Sequence, residues 1–161
     1  MRRDLMGVLA TLAILSAPFF VASARAQEFR LQVGPPIAGG PQPTKDLILV
    51  VRPGGCADPA RAQISATAEG IVDGARRSLP LTLSSLPTPG VHALPKEWTK
   101  TTSGVWVVNL IATCAGKTAG ALVPIERNAT FKRGAIKQLA HHATRDEIDA
   151  SLKALTTGGQ K

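Results

Sequence analysis

The chain has 161 residues, 19 basic against 11 acidic side chains for a formal charge of +8, and only two cysteines. That length supports one domain with a real hydrophobic core plus tails. Aromatic residues make up 4% of the chain and no basic segment is interleaved with them, so a base-stacking nucleic-acid function is excluded as the leading reading.

Residues 1–26 read as a secretory signal. Arg2 and Arg3 precede an uncharged run from Leu5 to Ala24, which ends in Ala24-Arg25-Ala26 ahead of Gln27. The competing reading is an uncleaved anchor, because the run is nearly long enough to span a bilayer. Pro18, the small residues after it and the A-x-A pattern favour cleavage after Ala26, and the paired arginines fit either a general or a twin-arginine export route. No second run of this kind occurs, so the processed chain is expected to be soluble, in the periplasm or outside the cell. Subtracting Arg2, Arg3, Arg25 and Asp4 leaves a charge of about +6. Such a surface suits an anionic lipid, a cell-wall polymer or an acidic partner, or simply keeps the protein in solution.

From 27 to 44 the stretch "QEFRLQVGPPIAGGPQPT" reads as an extended Pro/Gly-rich arm, in which Phe29, Leu31 and Val33 alternate as in a short edge strand. Residues 45–127 carry the strand signals. "KDLILVVR" is a buried strand stopped by Pro53-Gly54-Gly55. Ile64, Ala66 and Ala68 alternate with polar residues in a strand that continues to Val72, where Asp73-Gly74 supplies a type I′ turn. Leu79, Leu81 and Leu83 alternate next, and Pro80 places that strand at a sheet edge. The region up to Ser103-Gly104 holds two short extended pieces. "GVWVVNLIATC" is apolar on both faces and predicts a central strand, and after the turn at Ala115-Gly116-Lys117 a last strand carries Ala119, Ala121, Val123 and Ile125. Strands at this spacing predict an antiparallel, immunoglobulin-like β-sandwich with a C-terminal helical tail.

The loop "RPGGCADPARAQ" contains Cys56, and Cys114 ends the central strand. An isolated pair in an exported chain predicts one disulfide, whose 58-residue separation removes roughly 4 kcal/mol of denatured-chain entropy. A redox pair and a soft-metal site are the weaker readings, since no C-x-x-C occurs and neither cysteine has an activating setting.

Residues 128–161 are expected to form a basic helical tail. Thr144 and Glu147 make a capping box, followed by an apolar stripe of Ile148, Leu152 and Leu155, and a preceding helix is placed at about Phe131 to His142. From Arg127 to Arg145 the basic residues Arg127, Lys132, Arg133, Lys137 and Arg145 occur without an acid, and this tract is the candidate partner-binding element. It fits an anionic membrane surface or a partner's groove, against the alternative that its apolar residues merely cover the sheet.

"TPGVHALPKEWTKTTSGVWVVNLIA" resembles the FixH/YtkA-like bacterial extracytoplasmic immunoglobulin-like domains, over roughly Ile64 to Ile125. In that family the first motif usually carries an aromatic where this chain has His92, and Gly104-Val105-Trp106 matches the second. The resemblance implies a sandwich near the cell envelope with little defined chemistry, and related domains are associated with copper trafficking. Met1 and Met6 both lie in the leader, so no methionine cluster matches that role.

No nucleophile elbow, zinc helix motif, phosphate loop or calcium loop occurs, and His141 and His142 are adjacent rather than at chelating helical spacing. Asn128-Ala129-Thr130 fits the N-glycosylation rule, with an ordinary exposed asparagine as the alternative. The expectation is therefore a non-enzymatic exported binding module with no cofactor and no metal site, its partner an envelope protein or an anionic surface. The alternative is a periplasmic small-ligand or copper carrier.

Overall fold

A computed structural model describes residues 28–36, 44–100 and 103–158; the expected leader lies outside them. Strands β1 (Arg30–Gly34), β2 (Leu47–Gly54), β3 (Gln63–Val72), β4 (Ala75–Leu81), β5 (Ser84–Ser85) and β6 (His92–Pro95) precede a single-turn helix α1 (Glu97–Lys100). Strands β7 (Val105–Cys114), β8 (Lys117–Ile125) and β9 (Lys137–Leu139) and helix α2 (Arg145–Gly158) complete the chain. They form two antiparallel sheets, a four-stranded one ordered β1-β2-β6-β5 and a five-stranded one ordered β4-β3-β7-β8-β9. Among the described residues no helix is long and apolar enough to cross a membrane.

Two tight hairpins set the register of the five-stranded sheet. Asp73 and Gly74 both have positive φ (50° and 76°), as do Ala115 and Gly116 (48° and 76°). Two such residues match the twist of the strands they join, here Val72 to Ala75 and Cys114 to Lys117. The central position of β7 agrees with its two apolar faces. Trp106, Val108, Leu110 and Ala112 join Leu31, Leu49 and Val51 of the other sheet in one core. Val107, on the opposite face, packs with Leu122, Leu139 and the α2 residues Ile148 and Leu152. Leu110 is flanked in register by Ala66 and Ala121, whose small side chains leave depth for residues of the facing sheet.

Several local expectations change. The short edge strand expected within the arm forms as β1, and its pairing along β2 packs Phe29 and Leu31 into the core, so this part of the arm is packed rather than merely extended. Strand β2 does not stop before Pro53: Pro53 and Gly54 pair with Leu31 and Arg30. Strand β6 accompanies β2 only as far as Val51, so a residue without an N–H is tolerated where β2 has one neighbour. No helix spans Phe131 to His142. The segment instead makes a 3-10 turn at Arg133–Ala135 and then β9, which caps the free edge of β8. Gly120 permits that approach, since a Cβ there would lie 2.6 Å from the His141 carbonyl oxygen. One C-terminal helix remains.

Cys56 and Cys114 form a disulfide with a Cα–Cα distance of 6.0 Å. It joins the loop after β2 to the end of β7. The opposite end of β7 is closed by Trp106, which packs edge-on against Trp98 of α1 at 5.8 Å between ring centres. Its indole N–H donates to the Ser103 carbonyl (3.0 Å), and its ring lies over Gly70, where a Cβ would meet it at 2.3 Å.

Replacing both cysteines by serine is expected to cost about 4 kcal/mol in urea unfolding under non-reducing conditions, the loop-entropy value for this separation. Leu152→Ala, which empties a site 2% exposed, is expected to cost about 2–4 kcal/mol in the same measurement. Leu155→Ala, at a half-buried position, is expected to cost less.

Candidate functional site

Beyond Ile125 the chain leaves the sheet through a closed hydrogen-bonded loop. Glu126 N–H donates to the Thr130 carbonyl at 2.8 Å, and Ala129 N–H donates back to the Glu126 carbonyl at 2.9 Å. Asn128 Oδ1 accepts from Thr130 N–H at 3.2 Å, and the Thr130 hydroxyl lies 2.5 Å from Asn128 Oδ1 and 3.1 Å from Glu126 Oε2. Asn128 thus does what Asn does well in turns, bonding backbone two residues on. The Asn-Ala-Thr triplet has a local structural role whether or not a glycan is ever attached. Ala129, at φ 59°, completes the turn. Lys132 then pairs with Glu126 at 3.3 Å, and the 3-10 turn follows.

This loop walls an open cleft of about 340 Å³. Pro35 and Pro36, where the chain leaves β1, and Leu47, Ile48 and Phe131 supply apolar lining, while Lys96 and Arg133 bring cationic side chains; among the described residues no acidic one lines it. A register shift between β2 and β6 at Leu47/Leu49 explains the floor. The extra residue makes Leu47, Ile48 and Leu49 buried in succession, which a regular strand with one apolar face does not allow. Lys96 is held by its backbone: its N–H donates to the Asp46 carbonyl at 2.9 Å, and its carbonyl accepts from Thr99 N–H (2.9 Å) and Thr99 Oγ1 (2.7 Å). Neither Lys96 nor Arg133 forms an ion pair with a described residue. Two unpaired cations beside a low-dielectric floor concentrate positive potential in the cleft.

The sequence-derived basic tract divides here. Arg127, Lys132 and Arg133 belong to the cleft loop or its flank, with Arg127 and Arg133 exposed. Lys137 sits on β9 and Arg145 opens α2, so the tract is not one helical face. The apolar stripe of α2 is already covered by the sheet. Its outer edge is tied to β4 through Arg76, which pairs with Asp149 and with Glu69 (3.5 Å). The contributions of Leu47, Ile48 and Lys96 had no signal in the sequence, because only the β2–β6 pairing brings them beside Phe131 and Arg133.

His92 is half-buried with Nδ1 3.5 Å from Ser85 Oγ, and His142 is exposed. Among the described residues no group of three His, Cys, Asp or Glu side chains is arranged to hold a metal ion.

A second polar cluster centres on Glu147. Its carboxylate accepts from Thr144 N–H and Lys137 Nζ, both at 3.0 Å, and lies 3.2 Å from His141 Nε2, while Glu147 N–H donates to Thr144 Oγ1 at 3.3 Å. This is the expected capping box, extended to β9. The Thr144 backbone bond first, and then the Lys137 hydrogen bond, lower the Glu147 pKa from 4.5 to about 2. A carboxylate more acidic in the folded state stabilises the fold above its unfolded pKa and loses that contribution as pH falls through its folded pKa. Stability of the native chain is therefore expected to decline between about pH 5 and about pH 2, and Glu147→Gln should flatten part of that decline in urea unfolding across the range. An identical pH profile for both proteins would remove Glu147 as a source.

Comparison with family models, with curated proteins and with solved structures finds no match to this chain.

Proposed function

We propose that this is an exported, non-catalytic binding module of the immunoglobulin-like sandwich type, with the cationic cleft and its loop as the contact surface for an anionic envelope partner. The observation that carries the reading is the pair of uncompensated cations, Lys96 and Arg133, over an apolar floor at one end of the two-sheet body. The sandwich type has support in the strand order. β1-β2-β6-β5 against β4-β3-β7-β8 follows the A-B-E-D and C′-C-F-G arrangement, and the disulfide links the loop after the second strand to the last residue of the seventh. The disulfide supports an oxidising, extracytoplasmic location.

The contact element in this reading is the loop after β8 rather than the C-terminal helix. Helix α2 spends its apolar face on Val107 and Leu122, which leaves it no stripe for a second groove. Anion recognition by Arg133 suits a planar, bidentate partner, and Lys96 adds a point charge.

In-cell crosslinking should capture a partner with the native chain. Capture is expected to drop at least about fivefold with the double substitution Arg127→Glu and Arg133→Glu, and to persist with Lys153→Glu on the exposed side of α2. Loss with Lys153→Glu alone would move the contact surface to the helix.

A further inference from the structure

Resting on that reading of the cleft, we infer that it takes a small amphipathic carboxylate: one anionic head held between Arg133 and Lys96, and an apolar body laid on Leu47, Ile48 and Phe131. Three features converge on this class. The volume of about 340 Å³ lies at the low end of small-ligand pockets and suits a short chain rather than a folded surface. Apolar residues dominate the lining and the two polar groups of charge are both cations, so a fully polar anion leaves the floor wet and a neutral hydrocarbon leaves the cations unused. A single carboxylate offers two oxygens, one arrangement of which can meet a guanidinium fork and an ammonium together.

Two parts of the wall are held by the fold itself. Asn128, Thr130 and Glu126 lock the loop that carries Phe131 and Arg133. The Lys96 backbone is held between the Asp46 carbonyl and the first turn of α1, whose Trp98 packs against Trp106. The backbone behind both cations is thus held in place, which lowers the ordering cost of binding a compact ligand. An acidic side chain of a protein partner would reach the same cations but would leave the apolar floor unfilled.

The test is calorimetric titration of the purified full-length processed chain with decanoate, decyl phosphate, decanol and decyltrimethylammonium. Decanoate is expected to bind with a stoichiometry of about one, at least about tenfold tighter than decanol, and the cationic amphiphile not to bind. Arg133→Glu and Lys96→Glu should each weaken decanoate by about tenfold with unchanged thermal unfolding, while Arg145→Glu on α2 should leave it unchanged. Equal affinity for decanol, tighter binding of decyl phosphate by tenfold or more, no binding of decanoate, or decanoate binding indifferent to both cleft substitutions would each overturn the inference. The crosslinking experiment separates the two readings. Partner capture without decanoate binding sinks only the carboxylate, and decanoate binding without partner capture sinks only the envelope partner.

Discussion

Everything in this molecule hangs on the burial of β7 on both faces. A strand apolar on one side can sit in an open two-layer sheet, but Val107 and Val108 are both fully buried, so each side must be covered by something. The four-stranded sheet covers one side and α2 the other. Three layers follow from one segment of ten residues. The same constraint decides the fate of the C-terminal helix: without Ile148 and Leu152, Val107 and Leu122 would face water. The helix is therefore part of the fold's closure, and its cations are surface charges on a packed element.

The covering helix needs an anchor, and Glu147 supplies it. Its carboxylate binds its own capping residue, the strand residue Lys137 and His141, so one side chain fastens the helix start to β9. This arrangement also neutralises Lys137, the one member of the basic tract on that strand. Lys132 is likewise answered by Glu126. Arg127, Arg133 and Arg145 form no ion pair among the described residues, and of these Arg133 lines the cleft together with Lys96.

Much of the strand frame was readable because hydrophobic alternation and turn chemistry agree with each other there. Gln63–Val72, the Asp73-Gly74 hairpin, the edge strand with exposed Pro80 and the central β7 all lie where period and punctuation place them. The errors occur where a local signal is overridden by pairing at a distance. Pro53 looks like a stop, but an edge neighbour accepts it. Lys137-Gln138-Leu139 carries no convincing alternation over three residues, and only the open edge of β8 draws it into a strand. The cleft was hidden for a similar reason. Its cations are 37 positions apart in the chain (Lys96 to Arg133), and neither sits in a recognisable spacing.

The two ends of the body are built differently, and the difference bears on binding. At the disulfide end, a covalent link limits how far the β2 loop can move from β7, whatever the side chains do. At the other end the Trp98–Trp106 pair, Gly70 beneath it and the hydrogen-bonded loop from Glu126 to Thr130 hold α1 and the cleft wall by packing and hydrogen bonds alone. Packing of this kind yields by small rotamer changes where a covalent tie cannot, so adaptation to a ligand belongs at the tryptophan end. Lys96 is coupled to that end directly, since its carbonyl accepts the bonds that start α1. A shift of the Lys96 backbone would act on the same turn that carries Trp98.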